Sequence, residues 1–331
     1  MSGYSMESAL LPDPNFIGRD FAAYWFAGRF AFAGGNPYDI AALQEFHNGA
    51  ILGSRWEPDP AQFVFPGLPI CFWFYALLSF LPLNIAYFAF QGLTILLCFM
   101  VGIGVLRRFQ FDSTKLLGTP LVLFAVICFP PLQRCLVWGQ LSAVLLTVFW
   151  TALTLLSQNS FALAGGVMSI VLLKPQIFLF FLLLLIAFLP SHARHRFLLG
   201  FILGGGLQGG LSYLIAPHLY TAWMDGVISN GEVHAAITTA SFLQSLVRVF
   251  QFPASSSLYI WSVLLLGGIG LGIGLRVFST FSRWIGKPAL FMLSFYFLPL
   301  SCLFAPYIWS FDFLILLPNY LVLVGILTKR L

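Results

Sequence analysis

The residues best suited to chemistry gather in one stretch, Gly18 to Asp39. Its sequence, GRDFAAYWFAGRFAFAGGNPYD, carries four charged residues in a chain where Asp, Glu, Lys and Arg make up only 8%. Asp20 opens an aromatic, Ala-rich run, Tyr24 falls one turn later on the same face, and Gly34, Gly35 and Pro37 close it. The pattern predicts a carboxylate at a helix start, beside an aromatic wall. A carboxylate in partly desolvated surroundings is a stronger base than one in water, which suits removal of a proton from a hydroxyl group. The structural alternative is a helix cap, a common use of Asp. Arg29 lies two and a half turns further on, on the opposite side of an ideal helix. Asp39 is its candidate partner across the turn at Gly34 to Pro37, which would make both residues structural.

Other polar residues stand out against an apolar background. Lys174 sits between Leu173 and Pro175 in an apolar hairpin. A charge at the bilayer centre costs about 2.5 to 3.5 kcal/mol, so this one needs a compensating partner, and a lipid phosphate would serve. Arg134 and Arg248 have the planar fork that binds phosphate through two parallel hydrogen bonds; snorkelling to headgroups is the plainer use. Asp312 opens the last apolar run, either as a cap or as a ligand for a polar substrate group. Tyr24, Trp25, Asn36, Tyr38, Asp39 and Gln140 are candidate substrate contacts, although aromatic belts at membrane interfaces account for the first two. His192-x-x-His195 lies among arginines and reads as a solvated basic loop rather than a zinc site. The five cysteines lack C-x-x-C spacing and read as packing residues. No metal or other cofactor is expected.

The elements that must position these groups are membrane helices. With 60% hydrophobic residues and a mean hydropathy of +0.92 over 331 residues, the chain is far from a soluble domain, whose charged fraction is about 25%. The net charge of +5 comes from Lys and Arg in short loops between apolar runs, where they set orientation rather than bind nucleic acid. The run from Asp20 to Ala33 is too short and too polar to cross a bilayer of roughly 30 Å, so it should lie on the membrane surface or pack beneath it. Phe63 to Leu81 could be a span, but it has no basic residue at either end and aromatic residues in its middle, as expected of a helix embedded in the outer interface. Asn84 to Leu106 is a clean span ending at Arg107 and Arg108, which places that end in the cytoplasm. Further runs at 116–129, 141–156, 161–173, 176–189, 197–216, 258–278, 289–304 and 313–328 alternate across the membrane, several of them short for a span. Residues 1–83 are thus an external region with surface and interfacial helices. Residues 84–331 form a transmembrane domain with external loops near 130–140, 174–176, 217–256 and 305–312. Only the basic loops fix this orientation, yet Arg134, Gln140, Lys174, Arg248 and Asp312 all fall on the external face. Gly-rich segments at 204–210 and 267–274 lie inside apolar runs and read as close helix packing, not nucleotide binding.

The segment D-F-x-x-Y-W-x-A-G-R followed by G-x-N-P-Y-D resembles the start of the first external loop of glycosyltransferase family 87. FPPLQRCLVWGQ (129–140), LKPQ (173–176), SFLQSLVR (241–248) and APYIWSFD (305–312) match later landmarks of that family in order. The resemblance implies an all-α polytopic membrane protein of GT-C architecture, with about 8 to 10 transmembrane or embedded helices. It also implies an inverting enzyme of the bacterial inner membrane that transfers a sugar, mannose foremost, from a polyprenyl-phosphate donor to a lipid-linked or envelope glycan on the periplasmic or extracellular side. Asp20 would be the base, Lys174, Arg134 and Arg248 would hold the phosphate, and Tyr24, Asn36, Tyr38, Asp39, Gln140 and Asp312 would meet sugar or acceptor. Family members begin with a transmembrane helix that residues 1–19 do not provide, so an incomplete chain or an unusual insertion is expected. A transporter or flippase for lipid-linked sugar is the rival reading; it calls for inverted repeats, and no repeat is visible. An inactive partner subunit is a third.

Overall fold

The computed structural model describes residues 19–46 except 40 and 44, residues 69–108, 118–225 and 312–329, and the single residues 272, 276, 299 and 302. All regular structure among them is helical. The elements are α1 (Arg19–Phe32), α2 (Ile70–Leu78), α3 (Leu83–Arg108), α4 (Gly118–Ile127), α5 (Pro130–Trp138), α6 (Ser142–Ser157), α7 (Phe161–Met168, continued by a 3-10 turn at Ser169–Leu173), α8 (Pro175–Phe188), α9 (Ser191–Ile215) and α10 (Leu317–Lys329, preceded by a 3-10 turn at Asp312–Leu316). The chain divides into two compact units. The first comprises Met1–Thr94, Leu136–Gln140 and Gly206–His234; the second comprises Ile95–Cys135, Leu141–Gly205 and Ala235–Leu331.

In the first unit α1 and α2 pack face to face. α1 forms where the sequence predicts, with Asp20 in its first turn, where a negative charge complements the helix dipole. Its end is a Schellman cap: Gly34, at φ +84°, donates its N–H to the Ala31 carbonyl, and Gly35 donates to Phe30. α2 is only nine residues long and lays Cys71, Phe72, Tyr75 and Ala76 into the core. The two helices approach closely because Gly28 has no side chain; a Cβ there would stand 2.6 Å from the Ala76 nitrogen. The Trp25 indole N–H donates to the Leu78 carbonyl at 3.2 Å. Ala27, Ala31 and Phe72 form a cluster with Ala216 and Leu219, against which Tyr38 and Trp73 pack. The indole of Trp73 is tied to the Ser212 hydroxyl at 2.9 Å.

In the second unit α6 is the central helix. Leu145, Leu146, Phe149 and Leu153 are fully or nearly fully buried, and Phe149 meets Phe178 and Phe181 of α8 at centroid distances of 5.7 and 4.8 Å. α7 and the first half of α9 pack backbone to backbone. A Cβ on Gly165 would overlap the Phe197 carbonyl, one on Gly200 would overlap that of Ala162, and one on Gly204 would stand 2.9 Å from that of Gly166. The expected glycine packing at 204–210 therefore holds at Gly204 and, through Leu172, at Gly205, while a Cβ on Gly206, Gly209 or Gly210 would meet nothing within 4 Å among the described residues. The segment at 267–274 lies outside the described residues apart from helical Gly272.

Among the described residues two helices are long and apolar enough to cross a membrane, α3 with 26 residues and α9 with 25. At 1.5 Å per residue each reaches about 38 Å, more than the hydrocarbon core needs. Phe88, Leu96 and Met100 of α3 and Ile202, Leu203 and Leu214 of α9 are exposed, as lipid-facing residues are.

Three expectations about loops are revised. Residues 130–138 form helix α5, because prolines at its first positions start a helix and Leu132 and Cys135 give it a buried face. The basic segment 192–196 is the first turns of α9, not a loop; Arg194 turns back to donate to the Ala187 and Leu189 carbonyls at the end of α8, at 3.2 and 3.1 Å. Residues 217–225, expected in a long loop, are helical.

Candidate functional site

The sequence candidates resolve into two polar clusters, one in each unit. In the first unit Asp20 is half-buried at the start of α1, and the buried Gln140 donates its side-chain amide to Asp20 Oδ2. Gln140 arrives there by a constrained route. The Leu136 carbonyl, near the end of α5, accepts from the Tyr87 hydroxyl at 2.9 Å and from the Gln91 amide at 2.7 Å. The chain then turns at Gly139, whose φ of +71° lies in the left-handed region. Gly139 also abuts Phe21, the residue after Asp20, so closely that a Cβ would overlap the Phe21 side chain. Any residue but glycine would be excluded twice over.

The aromatic wall beside Asp20 is present. Tyr24 stacks on Tyr75 at 4.7 Å and 13°, and Phe21 meets Tyr75, Tyr87 and Phe90 at 5.9, 5.5 and 5.2 Å. Trp25 is buried in the α1–α2 contact, with the Arg29 guanidinium 5.2 Å from its ring centroid. Arg29 thus takes an aromatic partner where Asp39 was expected. Asp39 instead accepts the Ala42 N–H at 3.1 Å, capping the helical residues 41–43, and Asn36 accepts the Tyr38 N–H at 3.1 Å. Burial pushes the Tyr38 hydroxyl far above its ordinary pKa, with smaller contributions from Cys71 and Tyr220, so the phenol stays neutral.

In the second unit Lys174 and Asp312 form an ion pair at 3.0 Å, with side-chain exposures of 15% and 1%. The Ser142 hydroxyl donates to the same Asp312 oxygen at 3.0 Å. Lys174 sits at the break between a 3-10 turn and α8, with φ −139° and ψ 69° and Pro175 next, so the helix cannot run through it. The compensation its charge requires is supplied by Asp312. A cation at a helix N-terminus opposes the dipole, and the carboxylate relieves this as well. Arg134 is exposed on α5, and Arg248 lies outside the described residues. Among the described residues no group of three or more His, Cys, Asp or Glu is placed to hold a metal ion.

Four residues of these clusters escape sequence reasoning. Ser142, Tyr87 and Gln91 are unremarkable polar residues in apolar helices. The contact of Gly139 with Phe21 joins positions far apart in the chain, which no local pattern reveals.

The family model of glycosyltransferase family 87 matches residues 64–306, well over half the chain. The chain belongs to glycosyltransferase family 87. The match contains Arg134, Gln140, Lys174 and Arg248; Asp20 precedes it and Asp312 follows it. No curated protein and no solved structure matches the chain. This family 87 protein is accordingly a membrane glycosyltransferase, acting on a sugar donor and an acceptor, with an all-helical fold.

Proposed function

We propose that this glycosyltransferase takes its sugar, mannose, from a polyprenyl-phosphate donor and transfers it with inversion to a lipid-linked or envelope glycan. The reaction faces the periplasmic or extracellular side of a bacterial inner membrane, and Asp20 is the general base. The observation that carries this reading is the Asp20 carboxylate itself: half-buried at a helix start, against aromatic side chains, and oriented by a buried amide.

The chemistry asks little more. An acceptor hydroxyl oxygen attacks the anomeric carbon, its proton passes to Asp20, and the bond from that carbon to the phosphate oxygen breaks, releasing polyprenyl phosphate. One displacement inverts the anomeric centre. Charge gathers on the leaving phosphate, and a fixed cation stabilises it best in surroundings that exclude water. Within the second unit Lys174, its ammonium held by Asp312 and Ser142, is the candidate phosphate-binding cation, with Arg134 and Arg248 as further candidates. Tyr24 and Tyr38 offer aromatic faces to the sugar or acceptor. Asn36 and Asp39 support the first unit's cluster through backbone turns, and Asp312 supports the second unit's cluster through the ion pair.

The donor class is tested by supplying membranes that carry the full chain with radiolabelled mannose, either on polyprenyl phosphate or on a nucleotide diphosphate. Transfer from the lipid donor alone, with an inverted anomeric configuration in the product, is expected. Transfer from the nucleotide sugar, or retention of configuration, would overturn the proposal.

A further inference from the structure

Gln140 shows how the carboxylate of Asp20 is aimed. We infer that Gln140 is a positioning residue for the transfer reaction, acting through Asp20 rather than on the sugar or the acceptor. The inference rests on the reading of Asp20 as the base. Three independent constraints converge on this amide. The end of α5 is anchored through the Leu136 carbonyl, which takes hydrogen bonds from both Tyr87 and Gln91 of α3. The turn after it is fixed by Gly139, in the left-handed region and pressed against Phe21. Gln140 is itself 3% exposed and donates its amide to Asp20 Oδ2. A side chain that buried has little surface to offer a substrate, yet it holds one oxygen of the half-buried carboxylate.

The physical consequence concerns geometry. A carboxylate on a single Cβ arm rotates freely about two torsions, and an amide bound to one oxygen selects the rotamer that turns the other toward a fixed direction. A base must lie within hydrogen-bond reach of the proton it takes, and a displacement of about 1 Å costs on the order of 100-fold in rate. Loss of the amide therefore slows the chemical step and leaves substrate affinity alone.

The test uses the full chain in its membranes, with steady-state transfer from polyprenyl-phosphate mannose measured for wild type, Gln140→Leu, Gln140→Glu, Gln140→Asn and Asp20→Asn. Gln140→Leu and Gln140→Glu are expected to lower kcat by about 10- to 100-fold, with donor and acceptor KM within about twofold of wild type. Gln140→Asn, which keeps the amide on a shorter arm, should recover part of the loss. Because Glu is isosteric with Gln, it keeps the test alive if the Leu variant does not accumulate. A rise in KM at unchanged kcat would make Gln140 a substrate contact, and unchanged kinetics would make it inert; either overturns the inference while leaving Asp20 as the base. Full activity in Asp20→Asn would remove the base itself, and with it both readings.

Discussion

At the residue scale the Lys174–Asp312 pair gives the sharpest contrast between structure and function. Two charges removed from water at 85% and 99% burial are costly, and a buried pair often stabilises no better than apolar residues of the same volume. Removing one partner leaves the other uncompensated. Lys174→Met alone should therefore destabilise the protein by about 3 kcal/mol or more. Lys174→Met with Asp312→Leu should restore thermal stability in detergent without restoring sugar transfer. Transfer at the wild-type rate by the double variant would reduce the pair to a structural tie. Tyr38 makes a second prediction. Its folded-state pKa is raised by burial, whereas an unfolded tyrosine ionises near pH 10. Above about pH 10 the unfolded chain releases a proton that the folded one keeps, so stability falls with rising pH. Tyr38→Phe should flatten that fall, as read from unfolding temperatures between about pH 8 and pH 11.

At the element scale, glycine placement decides which helices touch. Gly165 and Gly200 allow α7 and α9 to pack backbone to backbone, whereas a Cβ on Gly209 or Gly210 would meet nothing within 4 Å among the described residues. Gly200→Ala should cost about 1 to 3 kcal/mol through overpacking, and Gly210→Ala should be neutral or slightly stabilising through helix propensity. Unfolding temperatures of the two variants, side by side, check the contrast. The sequence could not separate these glycines, because all lie in one apolar run and only the neighbour across the contact tells them apart. Helix existence was more legible. α1, α3, α6 and α8 lie where length, hydrophobicity and breakers put them, to within about two residues. The segments at 130–138 and 192–196 were harder to read. Polar and basic residues suggested loops there, but a Pro start in one and an Arg reaching back to the carbonyls of the preceding helix in the other make them helices.

At the scale of the whole molecule, orientation rests on charge. Arg107 and Arg108 end α3, and His192, Arg194, His195 and Arg196 lie in the first turns of α9. In the proposed orientation the positive-inside rule assigns both ends to the cytoplasm. A single cysteine at position 108 or 195, in a variant lacking the native cysteines, should react with a membrane-impermeant maleimide only after the cells are opened. One at the exposed Gly34 should react in intact spheroplasts. Labelling of position 34 only in opened cells would reverse the proposed side of the reaction. The site was legible in part. Asp20 and Lys174 stood out as charges in apolar surroundings, which physical chemistry does not leave unexplained. Their partners were hidden, because Gln140 and Asp312 lie 120 and 138 residues away along the chain. Asn36 and Asp39 looked like ligands, but their side chains cap nearby backbone, a local use that sequence alone does not distinguish from substrate contact.

In the proposed reaction this family 87 glycosyltransferase uses Asp20 to deprotonate its acceptor. The most direct test of this claim is transfer from labelled polyprenyl-phosphate mannose to envelope acceptors, in membranes containing equal amounts of wild type and Asp20→Asn. Transfer by the wild type, falling by about 1,000-fold or more in the variant, is the expected result, since the acid–base step alone contributes roughly 10²- to 10⁴-fold. Equal transfer by both proteins would contradict the claim.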